Sequence, residues 1–331
     1  MSDPTSESAE NRQAEKPNEP TARLMLLRDV LSDVRADADA AHESRLSGLP
    51  RGAITGLASF DRELSGTFSP GLHFIHGNAG AGKTAFALQT AADCQSPAMF
   101  VTCEMAPAEL LRRHTARATQ TYLNRLKSGE MTGADVQKLT LQAIEKAPAL
   151  AFLDATSAAA NIELLHDSAQ IVKSDAKHLL IVIDSLHSWA GGLALGLPEY
   201  EALNMAVSGL QRLSRRLSCA ILIVSERNRD SMKSGGDGLN SGAGTRKIEY
   251  GAETVISLER KSETAPDGAG DVDVTLKLAK NRHGAAGKPI PLKFNGALQS
   301  FREMDTLEKC EAAVAANAAR PNPFVKNGRQ N

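Results

Sequence analysis

The stretch GNAGAGKT, residues 77–84, decides the fold of this chain. It fits the pattern G-x-x-x-x-G-K-S/T, follows the apolar run LHFIHG and precedes a helical pattern, as a phosphate-binding loop (P-loop) requires. Small residues let backbone N–H groups surround phosphate oxygens, and the start of the following helix adds positive potential. A nucleotide site is favoured over an ordinary glycine-rich turn. Its predicted residues are Gly77, Asn78, Ala79, Gly80, Ala81, Gly82, Lys83, which reaches the terminal phosphates, and Thr84, which offers a hydroxyl to Mg²⁺.

The composition sets limits on the partners and the compartment. With 38 basic and 39 acidic residues the net charge is −1, so a nucleic acid or membrane would have to be met by a local patch. The four cysteines form no C-x-x-C pair, which argues against a zinc site or a disulfide framework, and we expect them to be buried. Neither a membrane-spanning run nor a secretion signal is present, which predicts a cytoplasmic protein without a membrane partner. The cysteines are Cys94, Cys103, Cys219 and Cys310.

The local composition and the spacing of apolar residues predict four segments. Residues 1–21 are polar and proline-containing, which is typical of a disordered tail. Residues 22–45 contain an amphipathic helix, expected over 22–41, whose apolar residues recur at three- and four-residue intervals and must be buried against some surface. Residues 46–305 form the main domain, and residues 306–331 a short helix and a loose tail. The apolar stripe consists of Leu24, Leu27, Leu31 and Val34.

Short apolar runs alternate with helical patterns through the main domain. The runs LHFIHG, AMFVTCE, ALAFLDA, LLIVIDS and AILIVSE are apolar on both faces, which predicts an α/β fold with a mostly parallel sheet flanked by helices. After Glu226, the runs ETVISLE, VDVTLKLAK and IPLKF are separated by turns and predict a C-terminal antiparallel extension. The helices between the runs are predicted over residues 84–94, 106–119, 161–174 and 199–217.

Two carboxylates are candidates for chemistry beside the P-loop. Asp184 ends the run LLIVID, where open α/β sheets bind ligands, and predicts a ligand for Mg²⁺ rather than a capping residue. Hydrolysis also requires a group that orients or deprotonates water. Because Ser185 and Leu186 follow Asp184, that group must come from elsewhere, and Glu104 at the end of AMFVTCE is preferred to a helix cap.

Several separated stretches together resemble the RecA-like motor domain of DnaB-type replicative helicases. These stretches are GLASFDRELSGTFSPGLHFIHGNAGAGKTAFALQTA, FVTCEMAPAELLRR, LLIVIDSLHSW, AILIVSERNR, TRKIEYGAETVISLER and LAKNRHGAAGKPIPLKF. They occur in the family's order from about Leu46 to Glu303, and the predicted helix at 22–41 lies where the family has its linker helix. The resemblance implies a RecA-like P-loop NTPase that hydrolyses ATP with Mg²⁺.

The resemblance also implies an oligomer. It identifies Arg282 as an arginine finger that acts on the neighbouring subunit's nucleotide, with Lys280 as its companion; from the residues alone, KNRHG is a solvated turn. The family's linker helix docks on the adjacent subunit, although the stripe of this chain could equally fold back on its own domain. A homo-oligomer follows, with six as the family's usual number.

Single-stranded DNA is the partner that the resemblance implies. A glycine-rich segment with five cations occupies the place of the family's DNA-facing loops, where such cations suit a sugar-phosphate backbone, although a mobile surface loop is the alternative. SWAGGLALGLPEY is the other candidate inner loop, in which Trp189 either faces the loop or packs. The cations are Arg227, Arg229, Lys233, Arg246 and Lys247.

Two departures from the family pattern keep a second function open. Only about 45 residues precede the motor segment, and Glu226 stands where the family usually has glutamine. The predicted function is an ATP-driven motor that translocates on single-stranded DNA and separates strands. The alternatives are a RecA-like ATPase that assembles without unwinding, as a loader, repair accessory or regulatory switch, and a scaffold in which nucleotide only sets the oligomeric state.

Overall fold

The computed structural model describes residues 24–194, 196–225, 250–260, 268, 270–285 and 287–311. The chain divides into two units, Met1–Gly48 and Leu49–Asn331. In the first unit, a 3-10 turn at Leu27–Val30 leads into helix α1, Leu31–Ser47, which ends at Gly48 with a left-handed φ of 69°. The helix therefore continues past the predicted end at residue 41, because neither glycine nor proline occurs between that residue and Gly48, where the left-handed backbone ends it.

A nine-stranded sheet organises the second unit. Its order is β3-β2-β4-β5-β1-β6-β7-β8-β9, in which β1 to β6 are parallel neighbours and β7, β8 and β9 are added antiparallel. The predicted α/β fold and its antiparallel extension are confirmed. The strands are β1 Gly71–Gly77, β2 Ala98–Thr102, β3 Leu150–Asp154, β4 Leu180–Asp184, β5 Ala220–Val224, β6 Ala252–Arg260, β7 Asp271–Asn281, β8 Ile290–Asn295 and β9 Ser300–Glu303.

Seven further helices are α2 Ala58–Glu63, α3 Lys83–Asp93, α4 Pro107–Thr119, α5 Gly133–Lys146, α6 Ile162–Lys173, α7 Leu186–Leu193 and α8 Glu199–Leu217. Residues 306–311 are also helical, and the remainder of the predicted C-terminal helix lies outside the described residues. Helices α3, α4, α6 and α8 were predicted to within a residue or two. The candidate inner loop at residues 188–200 is wrong for residues 188–193, which belong to α7, because the two glycines do not outweigh the packing of the helix's apolar side.

Each inner strand contributes to a core on both faces of the sheet. In β4, Leu180 and Val182 pack with α3 and the antiparallel strands, whereas Ile181 and Ile183 pack with α6, α7 and α8. This alternation explains why the strands are apolar throughout, since both faces are covered. Within the described part of the chain, no helix has the length and apolar character needed to cross a bilayer.

The cysteines are only partly where we expected them. All four are free thiols; Cys94 and Cys219 are buried as predicted, and Cys103 is half-buried. Cys310 is exposed, because it lies in the helical segment 306–311, of which Leu307 is exposed as well.

The helix that follows the P-loop is joined to the antiparallel extension by one amide side chain. Gln89 of α3 is buried; its Nε2 donates to the backbone oxygen of Phe301 at 3.0 Å, and its Oε1 accepts from the backbone N–H of Phe301 at 2.8 Å. The amide therefore satisfies both backbone groups of a buried residue on the edge strand β9, as another strand would.

We expect Gln89→Ala to lower the free energy of unfolding by about 2–4 kcal/mol, because it leaves two buried backbone groups without partners. Urea denaturation at constant pH measures the change. Gln142→Ala, at an exposed position of α5, is the matched control and should differ from wild type by less than about 0.5 kcal/mol. Equal effects of the two substitutions would contradict this role of Gln89.

Candidate active site

The P-loop connects β1 to α3 with a backbone that requires glycine. Gly80 and Gly82 have left-handed φ values of 75° and 90°. A Cβ atom at Gly82 would lie 2.8 Å from Cζ of Phe301, whereas one at Gly80 would meet no atom within 4 Å. The loop is thus packed tightly at Gly82 and open at Gly80, and it leads into the first turn of α3, whose N–H groups have no acceptor within the helix itself. This arrangement suits phosphate oxygens.

Lys83 and Thr84, the first two residues of α3, direct their side chains into the site. Nζ of Lys83 donates to the backbone oxygens of Gly77 and Asn78, at 2.8 and 3.1 Å. The hydroxyl of Thr84 is hydrogen-bonded to the carboxylate of Asp184. A hydroxyl and a carboxylate in contact are oxygen ligands of the kind that Mg²⁺ prefers, so the residues present fit a magnesium nucleotide.

Asp184 ends β4 and is buried. Burial raises its pKa to about 6; the hydrogen bond from Thr84 opposes the rise, the charge of Glu104 adds to it, and Lys83 and Arg113 also oppose it. Only 8% of the residue is exposed, so the raised pKa reflects lost solvation that a bound cation would offset. The peptide bond between Asp184 and Ser185 is cis.

Glu104 lies near Asp184 because β2 pairs with β4. The backbone N–H of Cys103 donates to the backbone oxygen of Asp184 at 2.9 Å. Oε1 of Glu104 accepts hydrogen bonds from the hydroxyls of Ser185, at 2.6 Å, and Ser188. These bonds, first that of Ser185, hold the pKa of Glu104 below its usual value. The carboxylate is therefore ionised at neutral pH and can accept a proton.

Lys280 and Arg282 lie near the start of the parallel strand β6, whereas the P-loop follows the end of the parallel strand β1. The backbone N–H of Arg282 donates to the backbone oxygen of Glu253, at the start of β6, at 2.8 Å. Gly77 pairs instead with Leu258, nearer the end of β6. The strand rises ~3.3 Å per residue, so the two positions are about 16 Å apart. The two basic side chains do not meet their own P-loop.

The side chains of Arg282 and His283 both contact the carboxylate of Glu253. Nη1 of Arg282 lies 3.2 Å from Oε1 of Glu253, and Nε2 of His283 lies 2.9 Å from Oε2. Nη2 of Arg282 also donates to the backbone oxygen of Tyr250 at 2.6 Å, and Nζ of Lys280 donates to a backbone oxygen of β6 at 2.9 Å. Glu253 thus fixes the direction of the arginine side chain at the end of β7.

The candidate DNA-facing cations and Glu226 lie outside the described residues. Trp189 is a packing residue: it is buried in α7, and its Nε1 donates to the backbone oxygen of Ala160 at 2.7 Å. This decides between the two interpretations that the sequence left open. The cations are Arg227, Arg229, Lys233, Arg246 and Lys247.

Sequence reasoning missed four residues that bind or electrostatically influence Glu104, Asp184 or Arg282. Ser188 was missed because α7 was not predicted. Arg113 lies in the predicted helix α4, but nothing local indicates that its charge acts on the pKa of Asp184. Ser185 was considered only as a departure from an acidic position. Glu253 carries no local signal, because its partner Arg282 comes from another strand.

The strand order, the P-loop after β1 and the carboxylates after β2 and β4 define a RecA-like P-loop NTPase domain. Residues 52–303 match the family described as the DnaB-like helicase C terminal domain, and the chain belongs to that family. The resemblance seen in the sequence is therefore confirmed.

Two relatives in this family cover most of the chain. The replicative DNA helicase DnaB of Geobacillus stearothermophilus is 24% identical over 296 residues, which are 86% of this chain and 62% of the relative. The replicative DNA helicase DnaC of Bacillus subtilis is 22% identical over 86% of this chain and 63% of its own length. The chain thus spans less than two thirds of both relatives.

A solved structure of a DnaB-like replicative helicase, described with its interactions with primase, has the same fold. It superposes with a TM-score of 0.70 at 18% identity and covers 85% of this chain and 69% of its own.

The buried Asp184 makes stability depend on pH. Because its folded-state pKa is raised, its ionised form weakens the fold as pH rises through about 6, and the penalty is absent near pH 3.8 and below. We expect the free energy of unfolding of Asp184→Asn, relative to wild type, to increase by about 3 kcal/mol between pH 4 and pH 8 in EDTA without nucleotide. Urea denaturation across this range measures it.

Asp175→Asn, at an exposed position, controls for the change in charge. A difference between Asp184→Asn and wild type that does not vary with pH would contradict the buried, charged state of Asp184.

Proposed function

We propose that this protein is an ATP-hydrolysing oligomeric motor that translocates on single-stranded DNA in the cytoplasm and separates strands. One observation carries the proposal: in a chain of the DnaB-like helicase family, Lys83, Thr84, Glu104 and Asp184 meet at one edge of the sheet, while Arg282 lies near the start of β6. Phosphoryl transfer also uses a cation that neutralises the transferring group from outside, and we assign that part to Arg282.

Each residue at the loop has a role in the proposal. The amides of residues 77–84 and the Lys83 ammonium bind the phosphates of ATP. Thr84 and Asp184 hold Mg²⁺, which supplies charge neutralisation when bound. Glu104, which its lowered pKa keeps ionised, accepts a proton from the attacking water.

Arg282 acts in trans, with Lys280 as its companion. Since the two side chains are remote from their own P-loop, a neighbouring subunit's site is where a guanidinium at the end of β7 can complete the charge. A finger of this kind makes hydrolysis depend on assembly, and we propose a hexamer. Glu253 orients the finger.

The remaining parts of the chain fit the same scheme. Residues 46–305 are the motor, and residues 22–45 are the linker between the tail and the motor. Its apolar stripe is exposed in the structure, and we place it against the adjacent subunit. We assign the cations between residues 227 and 247, which lie outside the described residues, to contacts with the DNA backbone. The names of the relatives, replicative DNA helicases, support the substrate.

Glu104→Gln is expected to lower kcat for ATP hydrolysis by about 100-fold or more, because the amide cannot accept a proton. Binding of a fluorescent ATP analogue should stay within a few-fold of wild type, since the P-loop is unchanged. Glu145→Gln, at an exposed position of α5, is the control. Turnover at the wild-type rate in Glu104→Gln would remove this residue from the proposed chemistry.

A mixing experiment tests the finger in trans. Lys83→Ala and Arg282→Ala should each be inactive alone, while a 1:1 mixture regains activity in roughly one quarter of its sites, where an intact P-loop meets an intact finger. ATPase assays with and without single-stranded DNA measure the recovery.

Lys277→Ala, an exposed position on the same strand β7, is the matched control and should retain DNA-stimulated hydrolysis. If the mixture is no more active than its components, or if Arg282→Ala alone hydrolyses ATP normally, the shared site is wrong.

A further inference from the structure

Glu104 is held by a helix to which it does not belong. It follows β2 and is exposed, yet both hydrogen bonds described for its side chain come from the first turn of α7. Ser185 is the N-cap of α7, and Ser188 is the third residue of the helix. The hydroxyl of Ser185 does not cap its own helix, because it points to the glutamate instead.

The two hydroxyls converge on the same carboxylate oxygen. Both hydroxyl oxygens lie within hydrogen-bond distance of Oε1 of Glu104, and the two hydroxyls also lie 3.2 Å from each other. Because both described bonds are made to Oε1, Oε2 is the oxygen that can accept a proton from water. An exposed glutamate has several rotamers of similar energy, and two charge-assisted hydrogen bonds restrict it to one.

The serines can hold the carboxylate because the start of α7 is itself fixed. Ser185 and Leu186 are buried, and Trp189, one turn further on, is buried and hydrogen-bonded to the backbone oxygen of Ala160. Ser185 also follows Asp184 directly, so the proposed magnesium ligand and the support of Glu104 are set by one segment of chain.

We propose that Ser185 and Ser188 are positioning residues that orient Glu104 for water activation. This inference rests on the proposed ATPase function. In the step that they support, the oxygen of water forms a bond to the γ-phosphorus, the bond from that phosphorus to the leaving oxygen of ADP breaks, and one water proton passes to Oε2. The serines keep Oε1 occupied, so that Oε2 faces the water.

We expect Ser185→Ala and Ser188→Ala each to lower kcat for ATP hydrolysis, and the double substitution to lower it by about 10- to 100-fold. KM for ATP should stay within about twofold, because the serines do not contact the P-loop residues that bind ATP. Ser188→Thr keeps the hydroxyl and should restore most of the rate. Ser157→Ala, at an exposed position outside the site, is the control.

A double-mutant cycle separates positioning from a merely structural role. In a Glu104→Gln background, measured in single turnovers with excess enzyme, the two serine substitutions should add no further loss, since their partner no longer acts as a base. An additional loss equal to that in wild type would show that the serines only maintain α7, and would overturn the inference. Ser188→Ala alone, whose side chain is only partly buried, serves if the double variant does not fold.

The inference and the proposed function fail in different ways. If Glu104→Gln hydrolyses ATP at the wild-type rate, the assignment of Glu104 in the proposed function is wrong. If Glu104→Gln is inactive but both serine variants keep the wild-type kcat, only the positioning role is wrong.

Discussion

The parallel alignment of β1, β2 and β4 is the constraint on which the site depends. Carboxyl ends of parallel strands fall at one edge of a sheet, so the P-loop, Glu104 and Asp184 converge although they are far apart in sequence. The hydrogen bond between Thr84, in the first turn of α3, and Asp184 links the helix after the P-loop to the end of β4. Both faces of the strands are buried, which leaves this edge little freedom to rearrange.

The two carboxylates of the site occupy opposite electrostatic environments. Burial raises the pKa of Asp184, whereas two serine hydroxyls lower that of Glu104. Acids whose environments separate their pKa values in this way commonly have different roles. Here the buried carboxylate suits a cation, and the exposed carboxylate, with one oxygen held, suits the acceptance of a proton from water.

The parallel strands bring the P-loop, Glu104 and Asp184 together, whereas the antiparallel extension places Arg282 far from them. Strand β7 runs against β6, so its end carries Arg282 away from the P-loop and toward the start of the parallel strands. In the proposed assembly, a cation there serves the nucleotide of a neighbouring subunit. The same extension is joined to the P-loop helix through Gln89, so the strands that carry Arg282 and the helix that follows the P-loop are packed together.

The sequence by itself determined the P-loop, the buried strands and the roles proposed for Glu104 and Asp184, because a phosphate loop and a strand apolar on both faces are local patterns. It missed α7, because the two glycines of this helix are typical of a loop and its stability comes from packing. It also gave no signal for Ser188 or Glu253, since each acquires its partner from a distant segment. Only the tertiary structure decided that Glu104 is supported by α7 and that Arg282 points away from its own nucleotide site, because strand order and register are set by long-range pairing rather than by neighbouring residues.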